Sequence, residues 1–456
     1  MHNAQESIVF LVNLCKWLKL TLRINKEVIL VIKKFILKFK ESVWVIPVAI
    51  CLFATLLTIL VILIDYGYLE EIHDWIPEVL FTNAELGKDI LGVIAGALLT
   101  MTTITFSTIM IVLTTYSSQF SPRTLQNFIT DKRTLTVLGV FMGGFLYSII
   151  SLLFLHIEHP SEDILSAAFS VALSLICLGF FAFFIQHVAT FIQVSNLITS
   201  ITEEANRNLY KFHKKVEESD YIVEDEEVQI PSDYEYVSKL VSPSYGYLQI
   251  IDYEILLDLA REHDFIVGVT NEIGAFVVET SVIAKVYKKE EKELPKDIQE
   301  AFTIGNERNA SEDVQYTIQK LEEIALRAIS SGINDPHTAI DCIQHLGKIL
   351  LLISKYHKEH LVYKDINLPR VITKQRQLRD IFYQSFYQVI DCMDEDVSIL
   401  FVTMDTLILI GEESDEIVRS IIRELYLYLK ANFDISQLKP LDCRYFDEKE
   451  QRLMQI

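Results

Sequence analysis

No aspartate, glutamate, lysine or arginine occurs in residues 44–64, 90–116, 135–155 or 164–185. Each stretch is near or above the roughly 18–20 residues that a helix needs to cross hydrocarbon. The first, 21 residues long, would make a helix of about 31 Å at ~1.5 Å per residue. Four transmembrane helices are therefore expected. The same lack of charge weighs against a proton- or ion-coupled transporter, which needs an ionisable group near the midplane. No interrupted helix or inverted repeat stands out either. Cysteine is sparse: of Cys15, Cys51, Cys177, Cys342, Cys392 and Cys443, no two have metal-ligand or redox spacing. They read as unpaired thiols in a membrane or a reducing compartment. Phosphate-binding glycine loops, nucleophile elbows, zinc motifs and the dinucleotide fingerprint are all missing. His337 has no second ligand at zinc spacing. These absences point away from an enzyme, a metal site and a cofactor.

What is present is apolar and unevenly charged. The chain of 456 residues is 50% hydrophobic, with mean hydropathy +0.28 and net charge −21, more apolar than is usual for a soluble protein. Eight basic residues between Lys16 and Lys40 face only Glu6 and Glu27, so residues 1–40 carry +6 and the rest −27. Residues 1–42 thus read as a basic amphipathic segment lying on anionic lipid, with no compact core and cleavage site of a signal peptide. A basic head before the first span places the N-terminus in the cytoplasm. The loop over 65–88 is then outside and acidic (Asp65, Glu70, Glu71, Asp74, Glu78, Glu85). The next loop, with Arg123, Lys132 and Arg133, is inside, and a short acidic loop follows outside. The C-terminus returns to the cytoplasm. Nucleic acid is an unsuitable partner for so acidic a soluble part.

The second span carries hydroxyls. Gly96, Thr100, Thr103, Ser107 and Thr114 follow steps of three, four or seven and share one helix face. Two readings stay open: contacts with a neighbouring helix, for which Gly92 and Gly96 suit close approach, or a wetted pore. Four helices from one subunit enclose little, so a pore implies a homo-oligomeric ring. After the second span, Ser121-Pro122-Arg123 begins a short helix at the membrane surface: either a structural cap, or an element coupling pore to soluble domain.

Residues 43–200 are expected as the four-helix membrane domain, 201–231 as an acidic connector, 232–300 as a small mixed α/β subdomain and 301–456 as a helical one. Asp252 caps a helix over 253–262, strands lie near 245–251, 265–269, 275–278 and 281–287, and Asn271 and Gly274 supply a turn. Residues 313–329 form a helix with Val314, Ile318, Leu321, Ile324, Ala325 and Ile329 at helical spacing. Asp335-Pro336 opens the next, running to about residue 355, and two or three more helices follow through 429.

Four pieces carry a resemblance: Ser117-Ser118-Gln119-Phe120-Ser121-Pro122-Arg123, Gly246-Tyr247-Leu248-Gln249 with Ile251-Asp252, Ile304-Gly305 with Glu307-Arg308, and Ile333-Asn334-Asp335-Pro336 with Thr338-Ala339. Together these resemble the bacterial predicted membrane protein family known as domain of unknown function 2254, over nearly all of residues 40–430. The resemblance implies four spans plus a cytoplasmic domain, in a bacterial plasma (inner) membrane, and implies no activity. The fold class expected is an α-helical membrane protein with four transmembrane helices plus a cytoplasmic α+β domain that is mostly helical.

Two functions remain. One is a homo-oligomeric channel passing small ions passively, with Gly96, Thr100, Thr103, Ser107 and Thr114 lining the pore. Acidic surroundings give cations a weak preference, which Arg123, Lys132 and Arg133 oppose. Ser121, Pro122 and Arg123 would then couple or gate. The alternative is a membrane-anchored sensor or scaffold whose soluble part binds a ligand or partner. Glu307, Arg308, Asp313, Asn334 and Asp335 are candidates for that ligand or a subunit contact, although Asx residues in such a turn are ordinarily caps. Reading Glu307 and Asp313 as a general acid and base has the least support.

Overall fold

The computed structural model describes residues 44–66, 77–129, 131–155, 163–218, 222–224, 228–309, 313–358, 360–365 and 368–456. The basic head, residues 1–42, lies outside them, as do parts of two loops between spans. The chain forms two compact units. One takes the residues up to 115 with 124–190, the other 116–123 with 191–456.

Among the described residues, the first unit holds four helices long and apolar enough to cross a membrane. They are α1 (Val45–Asp65), α2 (Ala84–Gln119), α4 (Lys132–Phe154) and α5 (Ser166–Phe191), with the short α3 (Leu125–Ile129) between α2 and α4. Only helices keep every backbone polar group satisfied in hydrocarbon without a closed barrel. Half of the apolar window of α4 is buried, against 28, 22 and 17% for α1, α2 and α5, which makes α4 the central helix. Its glycines explain how. A Cβ on Gly139 would sit 3.0 Å from the Pro47 Cα and 2.8 Å from Ile50; one on Gly143 would sit 3.2 Å from the Ala54 Cβ. On another side, Gly144 faces Leu98 of α2 and Cys177 of α5. Small residues thus let α1 approach α4 backbone to backbone.

Polar fastenings sit at the helix ends. Strand β1 (Thr82–Asn83) pairs antiparallel with β2 (Asp163–Ile164). Asp65, expected in the acidic loop, is instead the buried last residue of α1. Its carboxylate accepts from the backbone N–H groups of Leu165 (2.7 Å) and Ser166 (3.3 Å), capping α5. A buried carboxylate must find donors, and a helix N-terminus offers several. At the opposite end of α5, His187 Nε2 lies 2.8 Å from Asp131, which also caps α4 through the Thr134 N–H.

The second unit begins with residues 116–123 and continues with α6 (Val194–Glu217), a correction to the connector expected over 201–231. The charge of that segment disguised an amphipathic helix. Leu197, Ile198, Ile201, Thr202 and Ala205 are buried at spacings of three or four, while Glu203, Arg207 and Lys214 stay outside. The mixed part contains β3 (Ile222–Glu224), β4 (Tyr236–Val241), β5 (Gly246–Ile251), α7 (Tyr253–Glu262), β6 (Phe265–Val269), β7 (Phe276–Val277), β8 (Val282–Lys288) and β9 (Phe302–Gly305). Two long helices, α8 (Val314–Ile329) and α9 (Pro336–Tyr356), are followed by β10 (His360–Asp365), β11 (Leu368–Lys374), α10 (Leu378–Cys392), α11 (Val397–Glu412), α12 (Glu416–Asn432) and α13 (Pro440–Gln455).

The six-stranded sheet has the order β3-β10-β11-β6-β8-β4, with only β11 and β6 parallel; β7-β5-β9 form a second sheet. This overturns the boundary at residue 300. Two strands from the expected helical subdomain complete the mixed one, and Leu361, Tyr363 and Val371 join its core with Leu256, Phe265, Ile283 and Val286. The expected caps Asp252 and Asp335 are present, and Asp313, expected inside the helix, proves to be a third cap; each accepts a backbone N–H three residues on.

The glycine contacts give a direct comparison. Gly139→Ala should lower stability in detergent by about 1–3 kcal/mol through overpacking. Gly92→Ala, where an added Cβ meets nothing within 4 Å, should be neutral or stabilise by up to ~1 kcal/mol through helix propensity. Thermal unfolding of both variants checks this, and equal losses would refute the packing described.

Candidate functional site

Two places in the fold gather the residues singled out above. The first is the hydroxyl face of α2. Leu91, Ala95, Leu98, Thr105 and Val112 are its buried seam, at a seven-residue repeat with one addition. At ~100° per residue measured from Leu98, this seam stays within about 60°, whereas Gly96, Thr100, Thr103, Ser107 and Thr114 fall at about 140–200°. All five are exposed, and a Cβ added at Gly96 would meet nothing within 4 Å. The face therefore points away from the bundle formed by the described helices, and packing against another described helix of the same unit does not account for it. Exposed apolar residues flank it: Leu99 and Met110 on one side, Val93, Ile104 and Ile111 on the other. The threonines donate to carbonyls one turn back, Thr100 to Gly96, Thr103 to Leu99 and Thr114 to Met110, each at 2.9 Å. Each proton is thereby satisfied inside the helix, and the oxygen keeps acceptor capacity for an outside donor.

The second place is α8. Residues 116–123, which end α2 and follow it, belong to the same unit. Ser121 is buried and donates to Glu323 Oε2 at 2.5 Å, while its Oγ accepts the Arg123 N–H at 3.1 Å. The Arg123 guanidinium pairs with the other oxygen of Glu323. One turn on, Arg327 donates to the Ser118 carbonyl. Pro122 opens the 3-10 turn Pro122–Thr124 between these contacts. Two residues of α8 thus hold this segment by charge-assisted bonds.

At the start of α8, Asp313 divides its oxygens. Oδ1 caps the helix through the Tyr316 N–H at 3.0 Å, and Oδ2 takes Arg308 Nε at 2.7 Å and Nη2 at 2.6 Å. Arg308 also donates to Gln319 at 2.7 Å. Burial pushes the Asp313 carboxyl up, and Arg308 pulls it back. Gly274, at φ +87°, lies directly on this pair, where a Cβ would stand 2.2 Å from Asp313 Oδ2. Only glycine tolerates both that backbone and that contact. Gln249 of β5 packs on Gly305 and donates to the Glu307 carbonyl at 2.6 Å. At the other end, Asn334 adopts φ +51°, and Asp335 caps α9, its N–H bonding to the Ala328 carbonyl at 2.9 Å. Segments 118–123, Arg308 and the turn at 334–335 are therefore held to one helix, and Gln249 joins them through the Glu307 carbonyl. The geometry is that of caps and ion pairs holding segments to α8, not of an acid and base flanking an open cleft.

Reading the sequence by apolar spacing missed Lys320, Glu322, Glu323 and Arg327. A helix packed against α6, α9 and α10 is buried nearly all round and should be apolar all round; the available signal was Lys320 and Glu322, two of its four charges, set between core positions. Burial lowers the Lys320 ammonium from its usual value. Glu322 is buried with Oε1 unpartnered, and burial, then the neighbouring Glu323, push its carboxyl up to about 7.

Taken together, four hydrocarbon-length helices and a mixed, sheet-containing C-terminal unit define a multi-span helical membrane protein. The chain belongs to the family described as predicted membrane protein (DUF2254), whose model matches residues 40–408. Curated relatives include uncharacterized proteins of Mycobacterium bovis and Mycobacterium tuberculosis, each 27% identical over 277 residues, 58% of this chain and 51% of the relative. The chain thus spans about half the length of the curated relatives it matches. No solved structure matches.

Two outcomes follow for α8. Ser121→Ala and Glu323→Gln should show a coupling of about 1–2 kcal/mol in a double-mutant cycle on unfolding, and strict additivity would refute the clamp. The folded-state pKa of Glu322 is raised, so its contribution is fully present below the ordinary carboxylate range and is lost as pH rises through about 7. Glu322→Gln should therefore stabilise more at pH 8 than at pH 5.5, by ~1–3 kcal/mol, measured by chemical unfolding at both values.

Proposed function

We propose that this family member is a homo-oligomeric channel that passes small ions passively, in a bacterial plasma membrane with both termini in the cytoplasm. The carrying observation is the hydroxyl face of α2, opposite the buried seam and bordered by exposed apolar residues on both sides. In a ring of copies, Gly96, Thr100, Thr103, Ser107 and Thr114 line the axis, and the apolar borders pack on neighbouring copies. Hydroxyl oxygens replace part of an ion's hydration without the cost of a buried charge. The second unit assembles the ring. Ser121, Pro122 and Arg123, held by Glu323, transmit movement between α8 and the end of α2. Acidic loops enrich cations at the mouths.

The second reading, a membrane-anchored sensor or scaffold, draws on the back-bonded hydroxyls, which a closed bundle tolerates equally well. Single cysteines at 100, 103 and 107 separate the two: the channel requires modification by aqueous thiol reagents, the anchor requires protection. In planar bilayers, purified protein should conduct, and Ser107→Leu or Thr103→Leu should cut unitary current several-fold by replacing a polar wall with an apolar one. Silence across pH, voltage and tension would end the channel proposal.

A further inference from the structure

An open cavity of about 200 Å³ lies between α4 and α5, lined by Lys132, Arg133, Thr136, Phe180 and Phe183. We propose that this is a seat for one anionic phospholipid, with the headgroup phosphate on Lys132 and Arg133 and an acyl chain along Phe180 and Phe183. The argument is one of place and complementarity. Residues 135–155 carry no charge, so Lys132 and Arg133 stand where hydrocarbon gives way to headgroups, the depth at which cations meet lipid phosphate. Both are exposed, and neither forms an ion pair among the described residues.

The nearby acid does not cancel them. Asp131 Oδ2 accepts from the Thr134 N–H and hydroxyl, both at 2.9 Å, and lies 2.8 Å from His187 Nε2. His187 stacks on Phe183, centroids 5.8 Å apart and planes 2° from parallel. The stack holds Phe183 as a wall, and the Thr134 and His187 contacts occupy the carboxylate. The Thr136 hydroxyl donates to the Lys132 carbonyl at 2.7 Å, which leaves its oxygen as an acceptor beside the cations. Two cations and two aromatic rings lining one cavity suit an amphiphile with a phosphate at one end. A free inorganic anion would use only half of the cavity.

Thermal unfolding and native mass spectrometry of the purified full chain in detergent test this with phosphatidylglycerol, phosphatidylcholine of the same chains, and inorganic phosphate. Phosphatidylglycerol should bind and raise the unfolding midpoint more than phosphatidylcholine. Lys132→Gln/Arg133→Gln should weaken it about thirtyfold, at ~1.4 kcal/mol per decade and ~1 kcal/mol per cation, with the lipid-free midpoint unchanged. Lys88→Gln, a basic residue at the start of α2 in the same unit, should leave binding unchanged. Undiminished binding in the double variant, or an equal loss in Lys88→Gln, would overturn the site. Displacement of the lipid by inorganic phosphate would reassign it to a free anion.

Discussion

One carboxylate, Glu323, holds the end of the longest helix. Its two oxygens receive the Ser121 hydroxyl and the Arg123 guanidinium, and Arg327 one turn on takes the Ser118 carbonyl. The remaining polar geometry of the second unit is organised along the same helix. Asp313 caps its start and holds Arg308, Gly274 closes on that pair, and the turn that leads to α9 closes its end. A helix buried nearly all round and yet charged is costly. Asp313, Glu323 and Arg327 offset part of that cost by each holding a segment, so α8 serves as a spine for 116–123, the loop after β6, and the residues after β9, whereas the buried Glu322 keeps one oxygen unpartnered.

Within the first unit the division of labour is different. Hydrocarbon length leaves no room for charge, so shape carries the packing and polar groups act at the ends. Gly139 and Gly143 admit α1, Gly144 admits side chains of α2 and α5, and Asp65, Asp131 and His187 secure helix termini. The hydroxyl face of α2 belongs to neither role, since a Cβ at Gly96 would meet nothing within 4 Å among the described residues and the face points opposite the seam. The channel reading gives that face a use, and the lipid seat does the same for two cations the fold leaves without ion-pair partners among the described residues.

Much of this was legible residue by residue. Four uncharged runs announced four spans, and Asp252 and Asp335 announced two helix starts, because span length and capping are local properties. Strands β10 and β11 were not legible as sheet partners of β6. Their pairing is long-range, one of the contacts is parallel, and a short β-branched run between helices carries little signal of its own. Residues 201–217 read as connector in the sequence because their charges hide a buried face.

The amino-acid sequence alone determined the number of spans, their uncharged middles, the hydroxyl periodicity of α2 and two caps of the soluble helices. Each depends on residues within a few turns of one another. Tertiary structure decided that the hydroxyl face lies outside the bundle, that Glu323 meets residues some two hundred positions earlier, and that Glu322 is buried with one oxygen unpartnered. These are contacts between distant segments, and no local pattern specifies them because the free energy that selects them comes from burying whole faces at once.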